Sequence, residues 1–574
     1  MKNEEIAYNT PVMKNTVHKT LEQICSPYES RIFGSRVLVF DEGMDQQEIQ
    51  ATVDAIHLQQ KNDEFSSQRF ALLFMPGSYE LDITVDYYVQ AMGLGRVPDD
   101  VQIRGGIQSI ATTRDNNVTL MFWRSAENFS IFPRDPEQLL TWAVSQAAPL
   151  RRIHHHGDMV FDQNGWASGG FLANSVIHGK AGTRTGQQWF TMNSRIGGWY
   201  GGQWNRSFLG VEGAPAETWP EEPVTVIDRC RRFRDKPFLI AGDNGEPEIF
   251  VPRLVRNQRG VTWQDGPETG RRITMDECYA ANPERDDAEG MNRALAEGKH
   301  LILTPGIYEL SEPLRVERPD SLVFGLGFAT LVPVTGKPAL ELADEDGIII
   351  SGLIIDAGPL ESPELVRVGR EKSSLRHSDN PSSLHDVFCR IGGHRPGRAD
   401  VCMAVYSNDV LLDHLWLWRA DHGAAAEWEG NTCRKGLVVY GDKVSAFGLF
   451  NEHFQEYQTL WYGERGETFF YQSELPYDPP SQDRWQADGR DGYASYKVAD
   501  SVKEHAAYGL GIYAFLGIKE NTDKNVHLEN AVETPGGPGI HISHITTFSK
   551  GYGDIRHSLN GEGPAAKPGF HQLY

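Results

Sequence analysis

The chain repeats itself once, at long range. The segment Leu72-Leu73-Phe74-Met75-Pro76-Gly77-Ser78-Tyr79-Glu80-Leu81 returns as Leu301-Ile302-Leu303-Thr304-Pro305-Gly306-Ile307-Tyr308-Glu309-Leu310, an offset of 229 positions (305 minus 76). Each copy runs on through a β-rich stretch to a Gly-Leu-Gly, Gly93-Leu94-Gly95 and Gly325-Leu326-Gly327. Each also follows a helical segment opened by an aspartate, Asp45 to Ile56 and Asp286 to Glu297. An aspartate there accepts hydrogen bonds from the free N–H groups of a helix start. A helix placed before the first coil predicts a capped solenoid, because an uncovered end exposes unpaired backbone and apolar core.

A period this long means two extended units rather than the blades of a propeller, which recur every 40 to 50 residues or so. Short apolar runs with polar or Gly-rich corners follow each start: 171–177 and 190–196 in the first half, and 347–356, which reads as two short strands with a turn, in the second. A doubly wound α/β fold would need helices of ten or more residues between strands, and the periodicity does not supply them. The Gly-Leu-Gly segments lack the rest of a phosphate loop and read as tight corners. The expected fold is all-β: two tandem right-handed parallel β-helix domains, pectate-lyase-like solenoids packed side by side, over 1–270 and 271–574. A repeat fold also fits 574 residues, since a solenoid grows along one axis where a single core would split.

The net charge of −23 repels polyphosphate, and no basic run with interleaved aromatics occurs, so no nucleic-acid partner is expected. A neutral polymer feels no such repulsion, and thirteen Trp and twenty Tyr provide flat faces for sugar rings, although most such residues fill cores. The six cysteines show no C-x-x-C spacing and read as free thiols. No run of about 18 apolar residues suggests a membrane span, and the N-terminus lacks the apolar region of a signal peptide. The compartment therefore stays open between the cytoplasm and secretion with a leader removed. A monomer without cofactor is expected.

Three phrases of the second half end an apolar or aromatic strand with a carboxylate: Trp418-Arg419-Ala420-Asp421-His422, Leu449-Phe450-Asn451-Glu452-His453 and Tyr471-Gln472-Ser473-Glu474-Leu475. The spacings are 31 (452 minus 421) and 22 (474 minus 452), the second typical of one β-helix coil. Equivalent positions on adjacent coils lie about 4.8 Å apart, so Asp421, Glu452 and Glu474 are expected to form a column. Like charges so close raise at least one pKa, which yields the acid and the base that glycoside hydrolysis requires. A solvated or cation-binding acidic ladder is the plain alternative. Against it stand the neighbouring Trp416, Trp418, Tyr457, Trp461 and Tyr477, and a histidine after two of the acids, His422 and His453.

The stretch from Asp386 to Pro480 resembles glycoside hydrolase family 55, β-1,3-glucanases built on tandem β-helices. The resemblance rests on Asp386-Val387-Phe388-Cys389-Arg390-Ile391-Gly392-Gly393, Trp416-Leu417-Trp418-Arg419-Ala420-Asp421-His422, Asn451-Glu452-His453 and Glu474-Leu475-Pro476-Tyr477. It implies that Glu474 is the general acid and that Glu452 positions or activates the attacking water. It also implies inversion at the anomeric carbon and release of glucose-sized products from a chain end. Asp421, Trp416, Trp418, His453 and Tyr477 are expected to line the sugar site.

In the first half the family's phrases are not evident. Residues 166–204 are rich in Trp, Gln, Asn and Ser, and if the helices lie side by side this stretch faces the carboxylates. Gln188, Ser194 and Trp189 are then the expected ligand contacts, and the alternative is an Asn/Ser ladder that ties coils together. His154-His155-His156 is not expected to hold a metal, because consecutive strand residues point to alternating faces. Two other functions remain: a polysaccharide lyase, whose uronate substrates an acidic groove would repel unless a cation intervened, and a non-catalytic glycan-binding β-helix, which needs no aligned acids.

Overall fold

A computed structural model describes residues 19–264, 268–520, 522–569 and 571–574. Two stacks of parallel strands build it. In the second half a 13-stranded sheet and a 9-stranded sheet run side by side along the stack. Successive coils contribute the strands Ser383–Ile391, Leu411–Arg419, Ser445–Glu452, Gly466–Glu474, His505–Ala514 and Ile540–Ser549 to the larger sheet, each pairing in parallel with the next. Between the two sheets lies a core of inward Leu, Val and Ile, among them Leu415, Leu449 and Leu510. The first half forms a 16-stranded sheet around its own core of Leu72, Phe129, Ile153, Leu172 and Phe208. These are two right-handed parallel β-helices.

The helix Gln46–Gln60 is capped by the Asp45 carboxylate, which accepts from the N–H groups of Gln47 and Glu48. It buries Ile49, Val53 and Ile56 against the first coils. In the second half the cap of Ala288–Ala296 is Asp287, one residue after the expected Asp286. Asp286 instead accepts from Asn282 N (2.8 Å) and the Tyr279 hydroxyl (2.7 Å). The expected pair of strands at 347–356 is one strand, Ile349–Asp356, bent at Gly352 in the left-handed region (φ 72°).

That bend recurs at the same register in every following coil, at Asp386, His414, Gly448, Phe470, Gly509 and His544, with φ between 50° and 67°. The column kinks the larger sheet where the first helix packs on it. At Gly509 a Cβ would come within 2.2 Å of Ser207 Oγ in the first half, so only glycine fits. Asp386 and His414 adopt the bend despite its cost of roughly 1–2 kcal/mol per non-Gly residue. Their side chains are tied together, His414 Nδ1–H donating to Asp386 Oδ1 at 2.7 Å.

The two helices share an interface rich in aromatic residues, with Trp123, Phe171 and Phe190 from one half against Trp416, Phe450 and Phe470 from the other. Arg151 crosses it: Nη2 donates to Asp386 Oδ1 at 2.8 Å and Nη1 to Asp413 Oδ2 at 3.0 Å. Its guanidinium stands 4.7 Å from the Phe171 ring centre. Burial alone would raise the Asp386 pKa, but the guanidinium and His414 hold it well below the usual carboxylate range. The strand Gly270–Ile273, where a division after residue 270 would fall, pairs with Pro247–Pro252 of the connecting segment. The six thiols are unpaired and five are buried. Among the described residues, no helix is long and apolar enough to cross a membrane.

Candidate active site

The outward face of the 13-stranded sheet carries one continuous column, Arg390, Trp418, Glu452, Glu474, Tyr513 and Phe548, each opposite the next on the following coil. Glu452 and Glu474 are thus adjacent, as the 22-residue spacing (474 minus 452) predicts. Asp421 is not in the column. Its strand ends at Arg419, and Trp418 takes the place opposite Glu452. The longer coil between 418 and 452 hides this register. The Asp421 carboxylate returns from the following turn to stand 4.0 Å from His453 Nε2, which lies 3.9 Å from Glu474 on its other side.

Both glutamates are buried, Glu452 2% and Glu474 8% exposed. Glu452 accepts from Gln146 Nε2 of the first half at 2.6 Å and from Trp416 Nε1 at 2.7 Å. Glu474 accepts from the Tyr477 hydroxyl and from Gln472 Nε2 at 3.3 Å. Burial first, against the lowering pull of the Tyr477 hydroxyl, pushes Glu474 up to about 7. Burial and then the Glu474 charge push Glu452 well above the usual carboxylate range, opposed by Trp416 and Gln472. Two charges this close in low dielectric do not both persist, so the pair keeps one proton near neutral pH. The indole of Trp416 can only donate. Together with the Gln146 amide it favours the ionised form at Glu452, as the Tyr477 hydroxyl and Gln472 do at Glu474, so the two carboxyls share the proton as a coupled pair.

His422 bridges the halves. Nδ1 contacts Asp421 at 2.8 Å and Nε2 contacts Glu64 at 2.7 Å. Burial opposes its charge, but these two carboxylates push its pKa up to about 10. Burial would raise the Asp421 pKa, yet the hydrogen bond from His422 and the His422 charge hold it down. Burial lowers the pKa of His453, whose Nδ1–H donates to the Leu475 carbonyl at 3.0 Å. The ring therefore turns a bare Nε2 toward Asp421 and Glu474.

These groups wall a cavity of about 400 Å³ between the two helices. Of the residues expected to line a sugar site, Asp421, Trp416, Trp418, His453 and Tyr477 line this cavity together with both glutamates. Gln188, Trp189 and Ser194 lie elsewhere. Gln188 is buried at the interface, where it accepts from Asn205 Nδ2 at 2.8 Å. Trp189 stacks on Phe161 with ring centres 3.7 Å apart. Ser194 accepts from Ser175 N and donates to the Met192 carbonyl, a rung of the coil-tying ladder.

The amides at the cavity are Asn117, Gln146 and Gln187. Gln187 is the neighbour of Gln188, and a shift of one residue in a strand turns a side chain to the other face. Trp166, Tyr513, Phe515 and Lys550 also line the cavity. Tyr513 was within reach of the sequence by extending the register one more coil, 39 residues beyond Glu474 (513 minus 474). Gln146 carries no sequence signal, because its partner is 306 positions away.

A parallel β-helix that presents two adjacent, buried carboxyl groups with raised pKa values to an aromatic-lined cavity is built as a glycoside hydrolase. Known proteins agree. Residues 280–474 match the LAM55 pectate lyase-like domain. An exo-beta-1,3-glucanase of Streptomyces sp. (strain SirexAA-E / ActE) is 42% identical over 534 residues, 92% of this chain and 87% of that protein. The solved structure of sacteLam55A from Streptomyces sp. SirexAA-E superposes with a TM-score of 0.91 at 40% identity, covering 94% of this chain and 98% of that one. A glutamate-to-alanine variant of it in complex with glucose matches with the same score and identity, over 95% of this chain and 98% of that one. The chain belongs to glycoside hydrolase family 55.

Proposed function

We propose that the protein is an exo-acting, inverting β-1,3-glucanase, with Glu474 as the general acid and Glu452 as the group that positions and activates water. The observation that carries the acid and base roles is the in-register, buried Glu452–Glu474 pair; exo action is supported by the named activity of the Streptomyces relative, and inversion by the family resemblance. Glu474 protonates the leaving glycosidic oxygen, while Glu452 and Gln146 hold a water for attack on the anomeric carbon from the opposite face. Tyr477 and Gln472 fix the Glu474 carboxyl. Trp166, 55% exposed, offers a face for the sugar rings, while Trp416 and Trp418, stacked on each other, form the buried floor beneath the carboxyls.

A glucan substrate is supported by the named activity of the Streptomyces relative and by the glucose complex of its variant. The cavity, about 400 Å³, is at the small end of the range for small-molecule sites, roughly 300–1,000 Å³. That suits a chain end better than the middle of a polymer. A lyase would call for a cationic base and a metal or arginine for the uronate; here Lys550 sits over the Trp166 ring at 4.5 Å, and Tyr477, Trp416 and Gln146 occupy the carboxylates.

The test is product release from a linear β-1,3-glucan by wild type and Glu474→Gln, beside α-glucans, fructans and a uronate polymer, with the anomer followed by NMR. Release of α-glucose from the β-1,3-glucan, lost in the variant, supports the reading. An unsaturated product from the uronate alone would replace it with the lyase, and retained β-configuration would remove inversion.

A further inference from the structure

A second cluster of chemistry-bearing side chains lies in the first helix, on residues that do not line the cavity. The strand Leu150–His155 places His154 on its outward face and turns His155 inward, where Nε2 meets the Asp158 carbonyl at 3.1 Å. The alternation expected of three consecutive histidines therefore holds. It also returns His156 to the side of His154, and the next coil supplies a third ring: His154 pairs with Val176 and His155 with Ile177, so His156 stands opposite His178. One ring nitrogen each of His154, His156 and His178 lies within 4.8 Å of the other two.

The surroundings orient these rings. Asp99 Oδ1 is 2.6 Å from His154 Nδ1, so the proton sits on Nδ1 and the Nε2 lone pair faces the cluster. There it meets His178 Nε2 at 2.9 Å. Ser130 Oγ engages His156 Nε2 at 3.1 Å, and Phe132 stacks on the same ring at 4.0 Å. A carboxylate behind a ring nitrogen is the outer-shell arrangement that fixes tautomer and orientation in metal-ligating histidines.

We propose that His154, His156 and His178 form a binding site for one divalent first-row transition ion, Zn²⁺, Ni²⁺ or Cu²⁺, with Asp99 as its outer-shell carboxylate. Imidazole nitrogens suit these three ions. Bonds of about 2.0–2.1 Å to two nitrogens 2.9 Å apart subtend an angle near 90°, and a third imidazole makes a three-nitrogen face. His178 is exposed, which leaves the outer side of that face open to water. The site ties two coils of the first helix together and takes no part in hydrolysis.

The experiment is calorimetric titration of the full chain, free of any purification tag, with ZnCl₂, NiCl₂ and CuCl₂, in wild type, His178→Ala and Asp99→Asn. The expected result is one ion per chain with at least one of the metals, an affinity at least tenfold weaker in His178→Ala, and one about 10–100-fold weaker in Asp99→Asn. A rise in Tm with metal should be seen in wild type and not in His178→Ala. Absence of stoichiometric binding by all three ions would overturn the site and leave a hydrogen-bonded histidine stack. Equal binding by wild type and His178→Ala would place the ion elsewhere and overturn it too. Both substituted side chains are at the surface, and metal-free melting curves and glucan turnover should match wild type.

Discussion

Glu452 and Glu474 stand opposite each other on adjacent coils, and each is held by a donor from another part of the chain: Gln146 of the first helix on Glu452, Tyr477 of the following loop on Glu474. These donors hold both carboxyls in place at the wall of the cavity.

Glu474→Gln keeps the shape and removes the proton that the leaving group needs. A fall in kcat of about 10²–10⁴-fold is expected, the range for loss of a general acid, with KM changed far less. Steady-state kinetics on a β-1,3-linked oligosaccharide measures it, and a variant within tenfold of wild type would remove Glu474 from the acid role.

The pH profile should carry the Glu474 pKa. Burial pushes it up to about 7, so kcat/KM is expected to fall on the alkaline side near that value as the acid loses its proton. The Tyr477 hydroxyl favours the ionised carboxylate. Tyr477→Phe should therefore move the alkaline limb to higher pH, and a limb that stays or moves down contradicts the assignment.

The same raised pKa has a stability consequence. A carboxyl whose folded pKa lies above its unfolded one binds its proton more tightly when folded, so its contribution is full below the unfolded value of about 4.5 and is lost as pH rises through about 7. A shift of that size corresponds to roughly 3 kcal/mol. Glu474→Gln should accordingly melt higher than wild type above pH 7, with the difference shrinking toward pH 5; a pH-independent difference would mean that the buried charge is not its source.

Gln146→Ala leaves one oxygen of a buried carboxylate without its partner, a loss of about 1–3 kcal/mol. The expectation is a fall in kcat of roughly 5- to 150-fold with the melting temperature changed by only a few degrees. An unchanged kcat would detach the first helix from the chemistry.

Arg151→Ala strands Asp386 and Asp413 as buried charges between the helices, and breaking a buried ion pair from one side costs about 3–5 kcal/mol. Denaturation at neutral pH should show that loss. A loss under about 1 kcal/mol would mean that water reaches the two carboxylates and that the interface is looser than the structure shows.

The architecture was legible because a β-helix is built from local repetition. The echoed start segments, the capping aspartate at Asp45 and the inward Leu, Val and Ile of each coil are all patterns of near neighbours. The Glu452–Glu474 pair was legible for the same reason: its 22-residue separation (474 minus 452) is one coil without insertions. Where a coil carries a longer loop, spacing stops reporting register, and Trp418 rather than Asp421 proved to oppose Glu452. The choice of Gln188 over Gln187 failed through strand parity, which the sequence around it does not display.

The sequence by itself thus determined the solenoids, the strand-end carboxylates and the aromatic wall beside them, since each depends on residues within one or two coils. Only the tertiary structure decided that Gln146, Glu64 and Arg151 reach the second helix. Those contacts depend on how two stacks pack face to face, a relation set by the shapes of whole surfaces and written in no local spacing.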